Sequence, residues 1–117
     1  MNSELKKQLF ERYPAIFERE REISCGDGWF DLIDALCEQL QHATESQEMP
    51  QVVASQVKEK FGGLRFYVGE RSPLQHGMIT LAQAMSYRIC DVCGARGELR
   101  GPVISRTRCD KHVDTRR

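Results

Sequence analysis

Two short pairs of metal-ligating side chains constrain this sequence more than any other feature. Cys90 and Cys93 flank Asp91-Val92, fifteen residues follow, and then Cys109 and His112 flank Asp110-Lys111. Two such side chains separated by two residues can grip one Zn²⁺ from a tight turn, and a second pair returned by a short loop completes a tetrahedron. Gly94 follows the first pair where the chain must curl. Gly97 and Gly101-Pro102 supply turns within the loop, leaving room for short strands near Leu99 and over Val103–Arg106. Residues 90–117 therefore read as a zinc-ribbon- or treble-clef-like module. Four protein ligands close a tetrahedral shell, and no glutamate sits beside the pairs as it does in zinc deaminases, so the Zn²⁺ is expected to be structural. The chain has five cysteines, an odd number, and its opening MNSELKKQLFERYP lacks a signal-peptide core. Both facts favour metal ligands and free thiols over a disulfide framework. Cys37 reads as a small buried hydrophobe, and Cys25 precedes a helix start.

At 117 residues the chain suits one compact domain. The expected class is α+β: a core over residues 1–89, with helices at about 3–12, 28–43 and 73–88 and a hairpin at about 52–69, packed as one unit with the zinc module. Ser3 is placed to cap the first helix and Asp27 the second, while Ser72-Pro73 opens the third. Trp29, Phe30, Leu32, Ile33, Leu36, Cys37 and Leu40 form a broad stripe on the second helix, with Trp29 as a core anchor. Met78, Leu81, Ala82, Met85 and Ile89 give the third its apolar side. In the hairpin, Val53, Ser55, Val57, Glu59 and Phe61 alternate with Lys58 and Lys60. Gly62-Gly63 supplies positive φ, and Leu64, Phe66 and Val68 alternate on the return. A helix over 51–60 is the competing reading.

No run approaches the roughly 18 apolar residues of a membrane span, so a soluble, cytoplasmic protein without membrane contact is expected. Net charge is zero, but residues 1–50 carry −6, residues 51–87 carry +2 and residues 88–117 carry +4. Lys58, Lys60 and Arg65 interleave with aromatics in the hairpin, an arrangement that can stack bases and track phosphates. Arg96, Arg100, Arg106, Arg108 and Lys111, with Arg88, Arg116 and Arg117, surround the metal pairs, although Asp91, Glu98, Asp110 and Asp114 lie among them. The leading expectation is a non-enzymatic binding protein for nucleic acid or a bacterial nucleoprotein complex. A second is an inhibitor of a host defence protein in which the acidic half, Glu18, Glu20 and Glu22 included, imitates phosphates. A third is an enzyme, either a small nuclease using His42 or His76 or a thiol-dependent catalyst. Asp27, Asp31 and Asp34 read as helix-start acids rather than a hard-metal site.

The blocks CGDGWFDLIDALCEQLQ, VKEKFGGLRFY and ICDVCGARGELR with TRCDKH resemble a group of small uncharacterised proteins of phages and bacterial prophages. The similarity runs from about Cys25 over nearly the whole remaining length, and in it Cys90, Cys93, Cys109 and His112 match the group's metal pairs. The resemblance implies a phage accessory protein expressed inside a bacterium and carries no activity with it.

Overall fold

Three helices and two small antiparallel or mixed sheets make up the computed structural model, which describes residues 1–115; Arg116 and Arg117 lie outside the described residues. The order is α1 (Ser3–Arg12), β1 (Ile23–Ser24), a 3₁₀ turn (Asp27–Trp29), α2 (Phe30–Ser46), β2 (Ala54–Lys60), β3 (Gly63–Val68), α3 (Pro73–Ser86), β4 (Glu98–Arg100), β5 (Arg106–Arg108) and a 3₁₀ turn (Asp110–His112). The architecture is α+β. Strands β1, β2 and β3 form one sheet in that order, β1 parallel and β3 antiparallel to β2; β4 and β5 form a separate antiparallel pair. Leu9, Ile16, Phe17, Ile23, Trp29, Ile33, Leu40, Val57, Leu64 and Phe66 are buried in one continuous core. Among the described residues no helix is long and apolar enough to cross a membrane.

Ser72 caps α3 as expected, but the other two expected helix caps shift. Asn2, not Ser3, caps α1, its side-chain oxygen accepting from the Leu5 N–H at 2.9 Å. Asp27 does not cap α2, because a 3₁₀ turn intervenes; its carboxylate instead accepts from the Asn2 backbone and amide nitrogens at 2.8 and 3.1 Å. The carboxylate thus fastens the start of α1 to the start of α2. Helix α2 continues to Ser46, beyond the expected end at 43, and α3 stops at Ser86, short of 88.

The hairpin forms, with two corrections. A bulge between Ala54 and Gln56 changes the phase of β2, so Val52, Ala54 and Val57 face the core in place of Val53 and Ser55. The two-residue loop is Phe61-Gly62, not Gly62-Gly63: Lys60 pairs with Gly63, and the loop residues have φ of 54° and 87°. Phe61 is consequently 71 % exposed. Gly63 is needed for another reason, since a Cβ there would lie 2.2 Å from the Tyr87 ring.

Helix α3 buries a different face from the one its apolar residues suggest. Gln75, Ile79, Ala82 and Ser86 point inward, while Leu81 is 65 % exposed and Leu74 and Met85 are also exposed. Polar bonding decides this. Gln75 donates through Nε2 to Thr44 Oγ1 at 3.1 Å and to the Pro50 carbonyl at 3.0 Å, tying α3 to the end of α2. Gln83 Oε1 accepts from the Phe66 N–H, and Ser86 Oγ accepts from the Leu64 N–H. These side chains satisfy outward-facing donors of β3, which would otherwise form an open sheet edge.

Candidate metal centre

The first ligand pair sits on a tight loop after α3. Cys90 N–H donates to the Ala95 carbonyl at 2.7 Å, Gly94 N–H donates to the Cys90 carbonyl at 2.9 Å, and Gly94 has a φ of 84°. The second pair follows β5 directly and opens the last 3₁₀ turn, where His112 N–H donates to the Cys109 carbonyl. The β4–β5 hairpin is thus the strap that returns Cys109 and His112 to Cys90 and Cys93.

The four donor atoms lie within 4.8 Å of one another. Cys93 and Cys109 sulfurs are 3.7 Å apart, and His112 Nδ1 is 3.8 Å from Cys90 Sγ and 3.2 Å from Cys109 Sγ. A tetrahedral Zn²⁺ with ordinary bond lengths needs sulfur–sulfur edges of about 3.8 Å and sulfur–nitrogen edges of about 3.6 Å. The cluster has the donors and the size for one such ion. Electrostatics also suits a cation: burial opposes a Cys90 thiolate, but N–H groups of Cys109, Cys93 and Val92 outweigh it and lower that thiol to about 6. The Ala95 N–H lowers Cys93, yet burial and the neighbouring sulfurs of Cys109 and Cys90 raise it on balance. Adjacent thiolates repel, and a bound cation relieves that repulsion.

Behind the cluster lies a buried ion pair. Arg108 Nε donates to Asp91 Oδ1 at 2.6 Å, and Arg108 Nη1 reaches the carbonyls of Thr115 and His112. Asp91 stands between the first two ligands and Arg108 directly before the third, so the pair locks the two ligand loops in register. Arg108 is only 2 % exposed, which corrects its expected place on a binding surface. Burial of both charges is tolerable because each is matched by the other, and Arg108 is held further by the His112 and Thr115 carbonyls.

Two motifs of the core dock this module. Gly28 N–H donates to the Asp91 carbonyl, Trp29 Nε1 donates to the Ile89 carbonyl at 2.8 Å, and a Cβ on residue 28 would meet the Cys90 carbonyl oxygen at 2.1 Å. At the β2–β3 loop, Thr107 Oγ1 donates to the Gly62 carbonyl at 2.6 Å and Leu99 covers Gly62. Glu59 accepts from the Gly62 N–H and pairs with Arg106 at 3.4 Å.

The other expected binding residues are dispersed. Arg65 bonds Tyr87 Oη and faces Lys58 across the hairpin, and Lys60 lies 5.6 Å from the Phe61 ring. Arg100 pairs with Asp110 at 2.8 Å and Arg106 with Glu59, while Lys60, Arg96 and Lys111 are exposed. Of the acidic stretch, Glu22 pairs with Lys6, whose hydrogen bond holds its carboxyl below the usual range, and Glu20 bonds the Glu22 N–H. His42 and His76 are exposed, the latter accepting from Arg71. Cys25 and Cys37 are buried in the core; burial raises the Cys37 thiol far above its ordinary value, with a further push from Asp34. Reading the sequence missed the positioning roles of Asp91 and Thr107. The signal was present, since an acid inside one ligand pair and an arginine abutting the other are opposite charges on loops that the ligands force together. Comparisons of the chain with protein-family models, curated proteins and solved structures find no match.

Proposed function

We propose that Cys90, Cys93, Cys109 and His112 hold one structural Zn²⁺ in a zinc-ribbon- or treble-clef-like module, and that the protein is a non-enzymatic binding protein. The four-donor cluster carries this reading. Four protein donors fill a tetrahedral shell, so the ion's contribution is to fix the loops that the small C-terminal segment cannot hold by apolar packing alone. The target is nucleic acid or a bacterial nucleoprotein complex, met through the zinc end in the cytoplasm of a phage-infected or prophage-carrying cell. Support comes from the exposed cations Lys60, Arg96 and Lys111 and from Phe61, held outward beside Lys60 at the tip of the hairpin.

Two measurements test the two halves. Titration with Co²⁺ should give the intense visible bands of a thiolate-rich tetrahedral site at one ion per chain, lost in Cys109→Ser; a colourless or multi-ion titration overturns the site. The zinc-loaded protein should bind labelled single- or double-stranded DNA or RNA with a log–log salt slope of about −2 to −4, as several phosphate contacts require. Absent binding at low salt overturns the nucleic-acid target.

A second reading, inhibition of a host defence protein by phosphate mimicry, is favoured by the outward carboxylates Glu4 and Glu11 on α1 and Asp31, Glu38 and Glu45 on α2. Charge reversal at Glu38 and Glu45 that left a captured partner's affinity unchanged would count against it.

A further inference from the structure

The β4–β5 hairpin has two faces with different tasks. Leu99 and Thr107 face the Phe61-Gly62 loop and hold the hairpin to the core. The period-two alternation of strands puts Arg100, Arg106 and Arg108 on the other face. There the register sets Arg100 directly opposite Arg106, an arrangement of like charges that disfavours pairing unless anions answer it. Arg108 is fully engaged with Asp91 and two carbonyls. The other two are bonded but keep donors to spare: Arg100 donates to Asp110 at 2.8 Å and to the Arg108 carbonyl at 2.9 Å, and Arg106 donates to the largely buried Glu59 and to the Ser105 carbonyl. Asp110, the partner of Arg100, is itself 96 % exposed; Glu98 stands 3.8 Å away, and Glu59 is 3.4 Å from Arg106. Among the described residues, Nη1 of Arg100 and Nε and Nη2 of Arg106 have no hydrogen-bond partner.

These arginines line a cavity of about 430 Å³, whose remaining wall includes Ile104, Val113 and Thr115. The volume falls in the range of small-molecule sites, and the lining combines convergent cationic donors with an apolar side. A carboxylate is satisfied by one guanidinium fork, whereas two guanidinium groups from adjacent strands surround a tetrahedral oxyanion with donors from two directions. Asp110 can yield Arg100 at little cost, because its carboxylate is almost wholly in water.

We propose that this cavity binds a phosphate ester bearing a flat, largely apolar ring: the phosphate on Arg100 and Arg106, the ring against Ile104 and Val113. A nucleotide unit has that chemistry, whether free or within a strand. The inference rests on the binding reading of the zinc end and assigns its contact residues.

The test uses the zinc-loaded full chain, titrated calorimetrically with adenosine 5′-monophosphate, adenosine, inorganic phosphate and a short single-stranded DNA. The nucleotide should bind more tightly than adenosine or phosphate alone. Arg100→Gln and Arg106→Gln should each weaken it about tenfold, the loss of one charge-assisted contact. Ile104→Asp should do likewise; its side chain is exposed, so it tests the site without threatening the fold, and the Co²⁺ spectrum verifies each variant's metal cluster. Nucleotide binding without strand binding supports the cavity and overturns the nucleic-acid target. Strand binding that survives in Arg100→Gln, Arg106→Gln and Ile104→Asp, but falls in Lys60→Gln, overturns the cavity and leaves the nucleic-acid reading standing. No binding of any probe overturns both.

Discussion

At Gly28 the core meets the C-terminal Cys/His module backbone against backbone. A methyl group there meets the Cys90 carbonyl, Gly94 nitrogen and Asp91 carbonyl carbon, none of which can rotate away. Gly28→Ala should cost about 3 kcal/mol in chemical denaturation and weaken Co²⁺ binding in the same preparation. Phe61 carries the opposite kind of cost: it is a bulky residue at φ 54° in a loop that favours asparagine before glycine. Phe61→Asn should raise stability by about 1 kcal/mol, and lower affinity for single-stranded nucleic acid if the ring stacks on bases. Tyr13 gives a pH signature. Burial raises its pKa well above the ordinary value of about 10, helped by the hydrogen bond its hydroxyl donates to Asp34 Oδ1. Because the folded-state pKa is raised, the stabilisation is complete below pH 10 and declines as pH climbs above it, where only the unfolded chain ionises. Stability measured from pH 8 to 11 should therefore fall more steeply in the wild type than in Tyr13→Phe.

Helix α3 shows how far an element can be read before it is placed. Its existence and start were legible, because Ser72, Pro73 and Gln75 form a capping box with proline at the first turn. Its orientation was not. Apolar periodicity pointed to Leu81 and Met85, but Gln75, Gln83 and Ser86 turn inward to bond α2 and the edge of β3, and no hydrophobicity argument credits them. Leu81→Gln should thus change stability by less than about 0.5 kcal/mol, whereas Ile79→Ala should cost about 2–4 kcal/mol by thermal or denaturant melts. The hairpin tells a similar story: its strands followed from alternation, while the bulge at Ala54/Gln56 and the one-residue move of its loop did not. That Cys90, Cys93, Cys109 and His112 come together was legible, since each pair's spacing is local. The basic surface was only partly so, because ion pairing with Glu59, Asp91 and Asp110 depends on partners that only the fold brings near.

Over the whole molecule, which extends 44 × 28 × 21 Å, the C-terminal Cys/His module is hydrogen-bonded to the core at points far apart in sequence, Gly28-Trp29 and Gly62. Metal removal should therefore be felt in the core. Chelation is expected to shift Trp29 emission to longer wavelength as its bond to the Ile89 carbonyl loosens, and to speed amide exchange at Gly62 and Gly28. Unchanged emission and exchange after complete metal removal would show that the ion pair of Asp91 and Arg108 suffices. The hydrogen bond from Trp29 to Ile89 spans sixty positions of the chain. A chain emerging from the ribosome exposes this indole, and the bare backbone of Gly62, before the residues that cover them have been made. The hairpin tip is covered last, once Thr107 has cleared the exit tunnel, and a metal ion taken up by Cys90, Cys93, Cys109 and His112 at that moment would shorten the time an incomplete core stays open to proteases and chaperones.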